Sequence, residues 1–70
     1  MYGMNSEWEL LVEIVKGMEN PIDKNTMLTW IKRIEIFERT NEVGHFAMTE
    51  IRNGRTIVDA IELAMYEWDI

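Results

Sequence analysis

His45 is the only histidine in the chain, and there is no cysteine. Glu42 stands three residues before it, the spacing at which two side chains meet on one helix face and, in di-iron bundles, ligate metal. Such centres need a second copy of that pair and two further inward carboxylates. The sequence has one copy, and Gly44 interrupts it. No metal site is therefore expected, and His45 is expected on the surface near a helix end. As a general base, His45 would need a nucleophile or substrate pocket within hydrogen-bond reach. The hydroxyls of Thr40, Thr49 and Thr56 stand in no catalytic motif, and there is no glycine-rich phosphate loop. Most carboxylates fall on expected solvent faces or caps. Only Glu38 projects into an apolar helical arc, close enough to a helix end to reach water. Neither enzymatic activity nor a cofactor is expected.

What the chain has in quantity is material for contact: three tryptophans, six methionines and a hydrophobic fraction of 47%. Residues 1–70 are long enough for a single domain, in a size class where one core rarely supplies more than about 3–5 kcal/mol. Disulfides are excluded and a structural zinc site lacks ligands. Good helix packing and self-association, as a dimer in the first instance, are the remaining supports. No apolar run approaches the roughly 20 residues of a membrane span. Met1–Ser6 has neither the basic flank nor the apolar core of a signal peptide, and Tyr2 departs from the myristoylation pattern. A cytoplasmic protein with no membrane association is the expectation.

Net charge is −6 and unevenly spread. Residues 1–23 carry −4, residues 24–55 carry +2, and residues 56–70 carry −4 with no base. Both ends would repel a nucleic-acid backbone, which binds through Lys and Arg, and would attract a basic protein surface. The central cations Lys32, Arg33, Arg39, Arg52 and Arg55 are the residues a nucleic-acid-binding alternative would use.

The elements that must position these groups are helices. Ser6-Glu7-Trp8-Glu9 is a capping box, opening a helix from about Glu7 to Lys16 that Gly17 closes. Its apolar residues spread over more than half the circumference, which suggests two neighbours. A second helix begins at Pro21 with Asn20 as cap, or as late as Asn25. It runs to about Asn41, is finished by Gly44, and sets Met27, Trp30, Ile31, Ile34 and Phe37 on one face. Phe46–Arg52 reads as a short helix ended by Asn53-Gly54. The alternative is a hairpin at Asn53-Gly54 in an α+β fold. It would set Arg52 opposite Arg55 and mix polar with apolar residues on one face, so the helical reading is preferred. Thr56 caps a last helix, about Ile57 to Trp68, with Ala60, Ala64, Ile57, Trp68, Ile61, Met65 and Val58 in one arc. The expected fold is all-α, a small bundle of three main helices plus a short connecting helix.

On the far side of the last helix, Leu63, Tyr66 and Ile70 cluster away from the buried arc. They are read as an apolar anchor for a partner protein, with Asp59, Glu62, Glu67 and Asp69 as a charged rim. The expected function is a small acidic interaction protein that binds and inhibits another protein, one with a basic surface. In style it resembles the small regulators that bacteriophages and mobile elements encode, which would place it in the host cytoplasm. Thr49–Gly54 ahead of a helix is similar to the exit from the recognition helix of phage-repressor-type helix-turn-helix proteins. That resemblance implies a transcriptional regulator, but the motif's preceding helix and turn are missing and Arg52 alone would read bases. Two further alternatives are a DNA mimic and a small-ligand-sequestering inhibitor with a pocket between subunits.

Overall fold

The computed structural model describes residues 6–70, Ser6 by its backbone alone, so the Ser6 side of the expected capping box lies outside the described residues. Four helices follow one another: α1 (Ser6–Lys16), α2 (Pro21–Ile36), α3 (Thr40–Arg52) and α4 (Ile57–Glu67), with no strand among the described residues. Two starts are set by side-chain caps. The Asn20 carboxamide oxygen accepts from the amides of Ile22 and Asp23 at 2.9 and 3.1 Å, with Pro21 in the first helical turn, where its missing N–H has no cost. The Thr56 hydroxyl accepts from the Asp59 amide at 3.2 Å and opens α4.

The helices share one core. Trp8, Leu11 and Val15 of α1, Met27, Ile31 and Ile34 of α2, Val43, Ala47 and Met48 of α3, and Ala60, Ile61, Ala64 and Met65 of α4 are buried together. Every position assigned to the α4 arc is buried or packed against this cluster. The periodicity thus places α4 correctly. Helix α3 is the hub, packing most extensively on α4 and α1. Phe46 and Trp68 add an edge-to-face aromatic pair between α3 and the C-cap of α4, with centroids 5.6 Å apart.

The middle of the chain differs from the expectation. Helix α2 stops at Ile36 rather than near Asn41, and α3 is a full 13-residue helix from Thr40, where a short one from Phe46 was expected. At about 100° per residue, a continuous helix would put Val43 and Ala47 roughly opposite Met27, Ile31 and Ile34. All five are buried in one core, so the chain has to turn between them. It turns at Glu38, which takes φ 57°. The Glu38 amide donates to the Glu35 carbonyl, and the Arg39 amide to Ile34, closing the helix in a Schellman motif. Glu38 accordingly sits exposed in this turn and not on the apolar arc of a helix.

Gly44, expected to end a helix, lies buried inside α3. The hairpin alternative fails at Asn53-Gly54. Gly54 has φ 104°, its amide bonds to Ile51 and that of Arg55 to Glu50, so the pair is a helix C-cap. A third Schellman turn ends α4, with Asp69 at φ 55° and the Ile70 amide on the Met65 carbonyl at 2.8 Å.

Of the three turns, the one at Glu38 puts a residue with no αL preference where glycine is favoured. Left-handed backbone costs an L-residue about 1–2 kcal/mol, and glycine removes that steric cost at some entropic loss. Glu38→Gly is expected to stabilise the fold by about 1 kcal/mol, seen as a rise of several degrees in thermal midpoint. A fall in the midpoint would show that the Glu38 side chain contributes more than its backbone costs.

Candidate functional site

His45 is exposed on α3, and its Nδ1 lies 3.0 Å from Oε1 of Glu7 on α1. The other oxygen of Glu7 accepts from Arg52 at 3.3 Å. Glu42, the partner implied by the Glu-x-x-His spacing, is held by Arg39 at 3.3 Å. Thr49 donates its hydroxyl to the His45 carbonyl, and Thr56 spends its oxygen on the α4 cap. The imidazole therefore meets a carboxylate and no hydroxyl nucleophile among the described residues. No group of three or more His, Asp or Glu side chains there could hold a metal. What this cluster does is tie the start of α1 to α3.

The hydrogen bond with His45, followed by that with Arg52, holds the Glu7 carboxyl below the ordinary glutamate value. A carboxyl with a depressed folded value contributes stability that is present above its unfolded value and lost as pH falls through the folded one. A carboxyl NMR titration of Glu7 should have its midpoint below that of glutamate in an unfolded peptide. Glu7→Gln should flatten the acid limb of stability against pH. A midpoint at or above the peptide value would remove this account.

The residues singled out at the C-terminal end divide between two places. Glu62, Tyr66 and Ile70 line a groove of about 330 Å³, and the rest of its lining is Trp30, Arg33 and Met65. Tyr66 is 86% exposed, the most exposed large hydrophobic side chain among the described residues. Leu63 is half-buried and does not line the groove, and Asp59, Glu67 and Asp69 are exposed beyond it. Ile70, read as lying away from the buried stripe, is half-buried and packs on the core because the left-handed turn at Asp69 folds the chain end back. The α2 wall was missed from the sequence. Trp30 was assigned to the core of α2 and Arg33 to the central basic cluster. Only the packing of α2 beside α4 gives them a shared face with Tyr66.

That central basic cluster is largely neutralised. Arg39 pairs with Glu42, Arg52 with Glu7, and Arg55 with Glu50 at 2.6 Å. Among the described residues, Lys32 and Arg33 form no ion pair, and they belong to different surfaces. Lys32 sits with Lys16 and Glu35 in a second groove, about 480 Å³, between α1 and α2 over Val12 and Leu28. This groove is larger but has no aromatic wall, so the α2–α4 groove is the better candidate for a contact site.

No family model matches the chain, and no curated protein or solved structure matches it. No helix among the described residues is long and apolar enough to cross a membrane.

Proposed function

We propose that this chain is a small acidic, non-enzymatic interaction protein that binds another protein and inhibits it. The α4 face with its α2 neighbour is the contact surface. The observation that carries this reading is Tyr66, 86% exposed beside Trp30, Met65 and Ile70 in one groove. Exposing a phenol ring there leaves apolar area in water that only a partner would remove, and Tyr, Trp, Met and Arg are the residue types enriched at interface centres. Asp59, Glu67 and Asp69 form a charged margin on α4 and its end that steers a partner more than it holds one. The same margin disfavours the nucleic-acid alternative, as do the three arginines already engaged by carboxylates.

Tyr66→Ala tests the reading, because so exposed a side chain contributes little to the fold. Its thermal midpoint should match wild type, within about 0.5 kcal/mol of stability. Protein captured from host extract by the tagged wild type should be lost. Ile22→Ala, at a 76% exposed apolar side chain at the far end of α2, should retain it. Equal capture by both variants would rule out this surface.

A further inference from the structure

We propose that the α2–α4 groove is occupied by a second copy of this chain, seated by a two-fold axis that runs along the groove. The inference rests on the groove being a protein-contact surface and names its occupant in the free protein, where the second copy covers the face that the inhibited protein competes for. Helix α2 supplies one wall, Trp30 and Arg33, and α4 supplies the other, Glu62, Met65 and Tyr66. An axis in the contact plane between the walls exchanges them, so α2 of each copy meets α4 of the other. The contact is then isologous, with residue i on j and j on i.

The charges of the groove fit this arrangement. Arg33 and Glu62 are opposite in sign, stand on opposite walls, and form no ion pair within the chain among the described residues. The two-fold sets each Arg33 against the other copy's Glu62, twice over. A uniformly basic partner would meet Arg33 with like charge, and a uniformly acidic one would meet Glu62. A second copy opposes neither, so the contact is locally neutral even though each chain carries −6. The same exchange brings the exposed Tyr66 ring and half-buried Trp30 under a mutual cover of the type that interface centres favour.

The experiment is sedimentation equilibrium in about 0.15 M salt, where repulsion between the acidic chains is screened beyond about 8 Å. Wild type should sediment at twice the chain mass. Arg33→Glu and Glu62→Arg should each raise the dimer dissociation constant about a hundredfold, since each creates two like-charge contacts. An equimolar mixture of the two variants should regain the dimer, because each supplies the charge that the other lacks. Unchanged thermal midpoints for the isolated variants, measured below their association range, confirm that the fold is intact. A monomeric wild type, a dimer indifferent to both reversals, or a mixture that stays monomeric overturns the proposal. If wild type is monomeric yet loses its captured protein on Tyr66→Ala, the second copy is wrong and the contact-surface reading stands. If Tyr66→Ala and Arg33→Glu change neither mass nor capture, both are wrong.

Discussion

Ile34→Ala is expected to leave the chain largely unfolded at 25 °C, whereas Ile36→Ala, two residues along the same helix, is expected to be neutral. Ile34 is 0% exposed at the centre of the shared core, and Ile36 is 75% exposed. Truncating a fully buried isoleucine removes its transfer free energy and leaves a cavity, together about 2–5 kcal/mol. A single core in a domain of this size supplies about 3–5 kcal/mol in all, so the loss is comparable with the whole. The exposed site gives up no such contacts, and a change there stays within about 0.5 kcal/mol. Far-ultraviolet circular dichroism with urea titration distinguishes the two. A cooperative, wild-type-like transition for Ile34→Ala would mean that Ile34 does not lie in the shared core.

Gly44→Ala carries the next largest effect, and local and tertiary reasoning disagree about its sign. Inside a helix, alanine is favoured over glycine by about 1 kcal/mol, so α3 considered alone would gain. Yet a Cβ at Gly44 would stand 2.9 Å from both Cα and N of Trp8. Those are backbone atoms that cannot rotate aside, so α1 must move off α3. That opens the contact burying Trp8, Leu11 and Val15. Overfilling of this kind costs about 1–3 kcal/mol, and more where backbone has to shift. A net loss of about 2 kcal/mol would lower the thermal midpoint by roughly 10 °C in a chain of this size. A higher midpoint for Gly44→Ala would sink the close approach of α1 to α3.

Gly44 is also the residue whose role in the fold differs most from its local sequence signature. A glycine after a long amphipathic stretch reads as a terminator, because its backbone freedom suits a C-cap. Here its lack of a side chain is used for helix approach, and the terminating conformation falls on Glu38, a good helix former. Neither fact has a local signature. A signal was available in the phase of the apolar residues, since Val43 and Ala47 run out of register with Met27, Ile31 and Ile34. At Tyr66 only one wall of the groove is legible in the sequence. The α4 periodicity exposes Tyr66 and Glu62, while Trp30 reads as part of the core face of α2 and Arg33 as part of the central basic cluster.

The residue pattern by itself favoured an all-α fold over the hairpin, offered Asn20 as one of two starts for α2, and determined the start at Thr56, the buried stripe of α4 and the acidic ends. These depend on neighbours within about four residues, the reach of a helical hydrogen bond or a capping side chain. Tertiary structure alone decided where α2 gives way to α3, why residue 44 must be glycine, and which wall faces Tyr66. Those outcomes depend on which distant surfaces meet: Glu7 reaches Arg52 across 45 positions, and Trp8 rests on Gly44. No local propensity encodes such pairings, because they are chosen by the burial of one shared core.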